Sequence, residues 1–365
     1  GRRSGTTRNC LFLATNENGL MQAAALIDLW RDGYVEPIEP PPQPYHVLAQ
    51  QLIALILQEK GIGRTAWRDW IGRMPGFAAL PAEDVEAVIE WMLEQTILWD
   101  DSGILGMGEA GEREYGWRNY MEVMSVFLTP PLFQVLHGRR ELGLVDSSSF
   151  IPRSKGAPVV LSLGGRPWLL RTVDWQHGVA YVEPAADAGR SRWRSSGVGL
   201  GFTMCRRIRD LLATEVQREW WSQRARQAVA EARMEYPWLT TEGTVVTLEP
   251  QGELCWWTFA GRTVNASLST ALQQRITGKI SHDNFAVKIE TGATMADIEG
   301  LVTELRQTNP EALLPEIDVD AITSLKFSDC LPRDLAHRML QVRAMDAAGV
   351  RTVFSEPVRF VTVDP

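Results

Sequence analysis

The sequence predicts an α+β protein with more than one domain, and three observations support this fold class. The chain has 365 residues, more than the roughly 100–200 residues of a typical single domain. Residues 40–44 contain four prolines in five positions, which predicts a stiff linker because neither a helix nor a central strand tolerates such a run. From about residue 128 onward, helical periodicity gives way to short apolar runs separated by turn residues, which predict strands.

The segment before the prolines predicts a strand and then a helix. Residues 11–15 form an apolar run typical of a buried strand, and residues 17–31 follow as a helix. Asn16 or Asn18 fits the N-cap of this helix, because a short polar side chain can accept a hydrogen bond from the first turn. Residues 35–38 predict one further short strand.

The segment after the prolines predicts three helices followed by a β-hairpin. An apolar helix at 45–60 and a shorter one at 64–73 precede a third that begins after Pro81 and repeats its apolar residues with helical spacing. Two apolar runs within 97–105 then flank Asp100-Asp101-Ser102-Gly103, which is typical of a hairpin turn. This order is that of a winged helix-turn-helix domain, although three-helix units with a hairpin also serve as protein-interaction modules.

The remainder of the chain predicts a largely antiparallel sheet or partial barrel with packed helices. The predicted strands lie at 133–136, 158–163, 167–173, 179–182, 244–248, 254–259 and 286–289. The predicted helices lie at about 202–233, 266–277, 295–307 and 333–345. A loop at 185–199 precedes the first of these helices, which is rich in arginine.

Charge is distributed unevenly along the chain. The net charge of −8 argues against a general nucleic-acid binder. Nine arginines nevertheless lie within residues 190–226, where three acidic residues oppose them, and a basic stretch in an acidic protein indicates one surface that faces anions. The 14 tryptophans outnumber phenylalanine and tyrosine, and we expect most of them in the core because large aromatic side chains usually pack.

Composition also excludes several classes of protein. No apolar run approaches the length of a membrane-spanning helix, and no basic-then-apolar secretory leader is visible. The four cysteines lie far apart and the five histidines lack ligand spacing, so we expect a cytoplasmic location without a disulfide framework or a metal site. Because the first residue is not methionine, we expect a fragment or a processed piece.

Short motifs along the chain follow one another in an order known from a protein family. Gly1 and Arg2 match the end of the sixth helicase motif, Q-x-x-G-R-x-G-R. The proline-rich linker comes next, and the matching stretches after it are Tyr45-His46-Val47-Leu48-Ala49-Gln50-Gln51, Gly116-Trp117-Arg118-Asn119-Tyr120-Met121-Glu122, Gly165-Arg166-Pro167-Trp168, Val173-Asp174-Trp175 and Arg192-Trp193-Arg194. This succession resembles the large helicase-related (Lhr) family of superfamily 2 helicases of the DEAD/DEAH-box type, over essentially the whole chain.

The resemblance implies three domains. Residues 1–40 would be the C-terminal remnant of a second RecA-like lobe, residues 41–127 a winged-helix domain, and residues 128–365 a β-rich domain that closes over single-stranded nucleic acid. Members of the family are ATP-dependent translocases that move along single-stranded DNA and unwind duplex.

The resemblance also implies partners and a missing activity. ATP and Mg would be cofactors of an intact parent protein, and its N-terminal RecA-like lobes would be partners of this chain. The sequence has neither a G-x-x-x-x-G-K-[ST] phosphate loop nor a D-E-x-H box, so we expect that this chain alone binds no cofactor and does not hydrolyse ATP.

Two candidate sites follow from matching motifs. Arg2 resembles an arginine finger that meets the γ-phosphate in an intact parent, while a terminal arginine without a role is the alternative for this chain alone. Trp193 lies between Arg192 and Arg194 and near Arg190. Single-strand sites pair cations for the backbone with an aromatic ring for a base, so these residues predict nucleic-acid binding; a loop anchored on the sheet is the alternative.

Four further arginines are candidate nucleic-acid contacts. Arg206 and Arg209 lie three residues apart on one helix face, where they could contact phosphates or simply be solvated. Arg64 and Arg68 are polar positions of the second helix of the predicted winged helix. Because carboxylates at the predicted wing tip would repel phosphates, we expect this domain to act mainly as a scaffold.

Two other functions stay open at this point. The chain could be a stand-alone DNA-binding or protein-interaction module. Alternatively, Asp174 and His177 could serve a glycosylase-like base-excision reaction, in which a carboxylate activates water against a flipped nucleotide. A hairpin turn between two strands is a simpler explanation of these two residues.

Overall fold

The computed structural model describes residues 11–127, 132–150, 158–163, 166–175, 177–185 and 199–363. These residues form two compact units. The first contains the described parts of 1–123, 199–323 and 327–365, and the second contains those of 124–198 and 324–326. Helices and three sheets occur together, as the predicted α+β class requires. In the described ranges, no helix is both long enough and apolar enough to cross a bilayer.

The α-helices of the described residues all belong to the first unit. They are α1 (Glu17–Arg31), α2 (Tyr45–Glu59), α3 (Trp67–Ile71), α4 (Pro75–Ala78), α5 (Ala82–Glu94), α6 (Glu109–Tyr115), α7 (Phe202–Ala213), α8 (Gln223–Met234), α9 (Arg262–Gln273), α10 (Met295–Leu305), α11 (Val319–Thr323), α12 (Arg333–Arg343) and α13 (Ala347–Ser355).

The strands are numbered along the chain. They are β1 (Ile62–Gly63), β2 (Leu98–Asp101), β3 (Ile104–Met107), β4 (Leu132–His137), β5 (Arg140–Asp146), β6 (Val160–Leu163), β7 (Arg166–Asp174), β8 (Val179–Pro184), β9 (Thr244–Leu248), β10 (Leu254–Trp257), β11 (Lys279–His282), β12 (Ala286–Glu290) and β13 (Val358–Thr362).

A small antiparallel sheet is formed by β1, which lies between α2 and α3, and by the β2–β3 hairpin, which follows α5. Its strand order is β1-β3-β2. The β2–β3 hairpin turns at Ser102 (φ 55°) and Gly103 (φ 84°), and two residues with positive φ match the right-handed twist of the flanking strands. The three helices and the hairpin occur as predicted, whereas β1 has two residues and is too short to show a periodic pattern.

A five-stranded sheet, β11-β12-β10-β9-β13, forms the centre of the first unit. Its strands pair in antiparallel fashion except β13, which runs parallel to β9. Helices α9, α10 and α13 pack on one face, where Trp256 and Leu268 are buried in the same core. The indole N–H of Trp256 donates to the Thr244 hydroxyl at 3.0 Å, so burial of this ring leaves no polar group without a partner.

A second core of the first unit joins α1 to α7 and α8. Met21 and Ala25 of α1 pack with Ile208 of α7 and Val229 of α8. Segments more than 180 positions apart therefore share one core, and the described residues of 199–323 and 327–365 belong with those of 1–123 rather than with those of 124–198. The predicted single domain over 128–365 differs from this division because local sequence patterns do not show which distant segments pack together.

The second unit is a five-stranded sheet with the order β5-β4-β8-β7-β6. β4 runs parallel to β8 and the other pairs are antiparallel. Its core contains Phe133, Phe150 and Trp168. The predicted strands of this region are present. β5 is an additional strand, which was not predicted because its first residues are polar.

Three predicted elements are wrong. Residues 11–15 and 35–38 contain no strand. The arginine-rich segment predicted as one helix at 202–233 is two helices, because α7 ends at Ala213 and α8 begins only at Gln223. The Ser222 hydroxyl accepts a hydrogen bond from the Ala225 N–H at 3.2 Å and caps the new helix.

Candidate nucleic-acid interface

Several residues predicted from the sequence lie outside the described residues. They are Arg2, Arg190, Arg192, Trp193 and Arg194. Their roles as an arginine finger and as single-strand contacts stay predictions. The other predicted arginines, at positions 64, 68, 206 and 209, are described, and they occupy very different surroundings.

Arg206 and Arg209 are buried beneath the surface of α7. Each side chain belongs to a residue that is 8% exposed. Arg206 donates two hydrogen bonds to the carboxylate of Glu356, both at 2.8 Å, and Arg209 donates to the Gly243 carbonyl at 3.2 Å. Both guanidinium groups donate to acceptors inside the protein. The predicted phosphate contacts would therefore require these hydrogen bonds to break.

The burial of Arg206 has an electrostatic consequence. Removal from water lowers the pKa of Arg206, and the hydrogen bonds to Glu356 oppose that effect. This pairing attaches α7 to the residue that ends α13, 150 positions away in sequence. Neither predicted alternative, a phosphate contact or a solvated helix face, describes this arrangement.

A different group of arginines surrounds the buried carboxylate of Asp28 in α1. Asp28 is 1% exposed. Arg218 donates to its two oxygens at 2.9 Å and 2.6 Å, and Arg207 reaches it at 3.5 Å and reaches Asp32 at 2.6 Å. Charge-assisted pairs of this kind are short and directional. Asp28 therefore binds two arginines that lie far from it in the sequence.

Trp220 lies beside this network with a partly exposed ring. The Arg31 guanidinium lies 4.1 Å and the Arg218 guanidinium 5.8 Å from the ring centroid, and Trp220 is 40% exposed. Cations near an indole face are attracted by its quadrupole. The ring and the two cations are therefore held together at the surface.

Two further arginines lie at the start of α8, close to Trp220 in the sequence. Arg226 donates to the carbonyls of Arg218 and Glu219 at 3.3 Å, while Arg224 is exposed. Within the described part of the chain, neither they nor Arg31 form an ion pair with a carboxylate. We call the whole group the arginine–tryptophan surface; it consists of Arg31, Arg207, Arg218, Trp220, Arg224 and Arg226.

The sequence indicated only part of this surface. Arg218, Arg224 and Arg226 belong to the basic stretch at 190–226. The buried Asp28 lies 190 positions before Arg218, Arg31 is close to Asp28 in the sequence, and no local pattern links them to the basic stretch. Asp28 on the inner side of a helix with apolar neighbours is the one signal that could have revealed the network, because buried carboxylates require partners.

Tryptophans are more exposed than composition alone predicted. Six of the 13 described tryptophans are at least 40% exposed. They are Trp30, Trp70, Trp99, Trp117, Trp175 and Trp220. Four of the described tryptophans are buried, namely Trp67, Trp168, Trp221 and Trp256, so the core holds fewer tryptophans than expected and exposed rings are available for recognition.

Arg64 is surrounded by carboxylates. It contacts Asp100 at 2.8 Å and also pairs with Glu86 and Glu90 of α5. The hydrogen bonds that Arg64 donates to Asp100 and Glu86 raise the pKa of Arg64, and the bond to Asp100 lowers the pKa of Asp100. This arginine ties β2 to α5, and its donors face carboxylates rather than solvent.

The other predicted arginine of this region, Arg68, is exposed. Its guanidinium lies 4.7 Å from the ring centroid of the buried Trp67 on the same helix, α3. The ring attracts the guanidinium, while the residue stays exposed. Arg68 forms no ion pair among the residues that the structure describes, so it can meet an anion, whereas Arg64 is held by three carboxylates.

The face formed by α5 and the hairpin is acidic. The exposed carboxylates are those of Glu83, Glu86, Glu90, Glu94 and Asp101. The hairpin turns at residues 102–103, so the two aspartates predicted at its tip instead end β2. We call this group, together with Asp100, the acidic face.

Asp174 and His177 form a hairpin turn between β7 and β8. His177 Nδ1 lies 2.8 Å from Asp174 Oδ2, and the His177 backbone N–H donates to Asp174 Oδ1 at 3.1 Å. Both side chains are exposed. An aspartate that closes a turn in this way is a common local structure, and it explains the pair without a catalytic role.

The fold is similar to one solved helicase structure. That structure is the Mycobacterium smegmatis helicase Lhr bound to ssDNA and AMP-PNP, with a TM-score of 0.58 and 14% sequence identity. The match covers 96% of this chain and 50% of the helicase chain, so this chain spans half the length of that protein. No family model and no curated protein matches the sequence.

Proposed function

We propose that this chain is the accessory part of an ATP-dependent helicase or translocase and that it guides single-stranded nucleic acid, in the first instance DNA. The observation that carries the proposal is the similarity in fold, over 96% of the chain, to a helicase bound to ssDNA and AMP-PNP. The arginine–tryptophan surface supplies the chemistry that such a function needs.

The arginine–tryptophan surface suits a strand of any sequence. Arginines without carboxylate partners attract phosphates and displace counterions. An exposed indole offers a face on which any base can stack, with a contribution of about 1–3 kcal/mol per base. The predicted loop with Arg190, Arg192, Trp193 and Arg194 would add a second ring between cations.

In this proposal, residues 45–107 are a winged helix that serves as a scaffold. The succession α2, β1, α3, α5, β2, β3 and the strand order β1-β3-β2 support that assignment. The acidic face covers the third helix and the hairpin, which are the elements that usually approach DNA. Carboxylates there repel phosphates, so the domain would position its neighbours rather than bind duplex.

Helix α1 and its flanking segments would complete a RecA-like lobe. α1 buries Met21 and Ala25 against α7 and α8, whereas Leu26 and Trp30 are exposed. Four apolar side chains of the extended flanking segments are also exposed, namely Leu11, Leu13, Val35 and Ile38. Exposed apolar surface of this extent marks an interaction site, and N-terminal RecA-like lobes, which would bind ATP and Mg, are the partner we propose.

The proposal is tested by the binding of a fluorescein-labelled oligothymidylate, followed by anisotropy at several salt concentrations. We expect salt-sensitive binding. The double variant Arg31→Ala/Arg224→Ala should bind about tenfold more weakly and should reduce the slope of log K against log salt by roughly 1.4, since each phosphate contact to a single strand contributes about 0.7.

Arg359→Ala is the matched control, because Arg359 is an exposed arginine on β13 that forms no ion pair within the described residues. It should leave binding unchanged. Equal losses for the control and the double variant would show a diffuse charge effect. Absence of binding by the unaltered chain would contradict the proposal and favour a protein-interaction module.

A further inference from the structure

An aromatic pair lies on the surface after α6, away from the residues of the arginine–tryptophan surface in sequence. The rings of Trp117 and Tyr120 are stacked, with centroids 5.9 Å apart and an interplanar angle of 25°. Trp117 is 77% exposed and Tyr120 is 42% exposed. One face of the indole is thus supported by a second ring, and most of the side chain is open to solvent.

The backbone that carries this pair is fixed by contacts before Trp117 and after Tyr120. Gly116 ends α6, and a Cβ atom at that position would lie 2.3 Å from the Glu112 carbonyl oxygen, so only glycine fits there. The Asn119 side chain donates to the Arg113 carbonyl at 2.9 Å. After the pair, the buried Val123 is fixed by the Gln50 side chain, which donates to its carbonyl at 2.5 Å.

An exposed aromatic pair on a fixed backbone is unusual for a solvent-facing loop. A large ring in water costs free energy that burial would recover, and the stacking with Tyr120 restricts the motion of Trp117 without hiding it. A platform that is ordered before binding loses little entropy when a planar ligand adds to the stack. A nucleobase is such a ligand.

The charges nearby specify which part of a nucleotide is recognised. Arg118 is exposed and forms no ion pair within the described residues, so it can meet one phosphate. α6 carries Glu109, Glu112 and Glu114, and these carboxylates prevent the surroundings from becoming a basic trough. Stacking on the ring, rather than attraction of the backbone, should therefore dominate at this position.

We propose that Trp117, backed by Tyr120 and flanked by Arg118, is a base-stacking site for an unpaired nucleotide of the strand. This inference rests on the proposed single-strand function and adds to it a site that recognises a base instead of phosphates. It predicts a contribution that depends on the presence of bases and changes little with salt.

The test compares an oligothymidylate with a strand of the same length made of abasic nucleotides, both labelled with fluorescein. Trp117→Ala should weaken binding of the oligothymidylate roughly five- to tenfold, at low and at high salt, and leave binding of the abasic strand unchanged. Trp117→Phe should restore most of the affinity, because it keeps a ring on the platform.

Trp70→Ala is the matched control, since Trp70 is a similarly exposed tryptophan on α3; its affinity should equal that of the unaltered chain. Equal weakening of both strands by Trp117→Ala would overturn the inference in favour of a structural role. No effect on either strand would overturn it in favour of a protein-docking surface. Both of these outcomes leave the proposed function intact, whereas no binding by the unaltered chain would remove both.

Discussion

Two ion-pair networks of the first unit are built with opposite signs. In one, a single arginine, Arg64, is surrounded by Glu86, Glu90 and Asp100. In the other, the buried carboxylate of Asp28 receives Arg207 and Arg218, and Asp32 also pairs with Arg207. The first network therefore keeps a net negative charge, whereas the charges of the second balance and the positive charge beside it comes from Arg31 near Trp220.

The two networks also differ in burial. Asp28 is 1% exposed, whereas the Arg64 side chain is 23% exposed and two of its carboxylate partners are more than half exposed. A buried charge depends on its partners because water cannot replace them, while exposed pairs contribute little. The network around Asp28 should therefore matter for folding as well as for binding, and the one around Arg64 mainly for repelling anions.

The largest expected effect is that of Asp28→Asn, which keeps the shape of the side chain and removes its charge. Arg207 and Arg218 would lose their shared partner, and we expect a loss of about 3 kcal/mol in the free energy of unfolding, at the low end for buried pairs because both arginines are partly exposed. Urea unfolding measures it.

Asp32→Asn is the control for that variant, since Asp32 is largely exposed and, among the residues that the structure describes, pairs with Arg207 alone. A loss below about 1 kcal/mol is expected there. Similar losses for the two variants would contradict the view that burial distinguishes these carboxylates.

An intermediate effect is expected from acid, and it concerns a buried histidine of α2. His46 of α2 is buried beside Arg343 of α12, with 3.3 Å between Nδ1 and Nη2. Burial, together with the positive charge of Arg343, lowers the pKa of His46 to about 4 from about 6.5 in an unfolded chain.

Because the folded pKa of His46 is the lower one, its contribution to stability is present above pH 6.5 and is lost as the pH falls toward 4. The loss amounts to about 2 kcal/mol at pH 5. Urea unfolding of the unaltered chain and of His46→Gln at pH 7 and pH 5 measures it. If the glutamine variant loses as much stability between pH 7 and pH 5 as the unaltered chain does, His46 is not the cause of the loss.

The smallest effect is expected for Arg64→Ala. Its ion pairs are partly exposed, so the free energy of unfolding should fall by less than about 1 kcal/mol, and the affinity for an oligothymidylate should not change. Urea unfolding and fluorescence anisotropy check the two expectations. A clear loss of affinity would mean that the acidic face takes part in binding after all.

Much of the local structure could be predicted from the sequence. The predicted helix at 45–60 is α2 (Tyr45–Glu59), and the strand predicted at 244–248 is β9. Proline and glycine at their ends, together with strong apolar periodicity, make such elements independent of context. The short strands β1 and β11 and the final β13 were missed because their form depends on pairing with distant strands.

The candidate site was less predictable than the fold. The basic stretch at 190–226 showed where arginines concentrate along the sequence, but it did not separate buried arginines from exposed ones. Arg206 and Arg209 share a helix face as predicted, yet Glu356 occupies that face. Arg31 was not a candidate at all, although it lies against Trp220.

The sequence by itself determined the α+β class, the main helices and the number of arginines available in one stretch, because these depend on local composition and on residue spacing. The tertiary structure alone decided which arginines are neutralised and which remain free. Coulomb attraction depends on distance in space and on access to water, and neither quantity can be read from positions that are 150 or more residues apart in the chain.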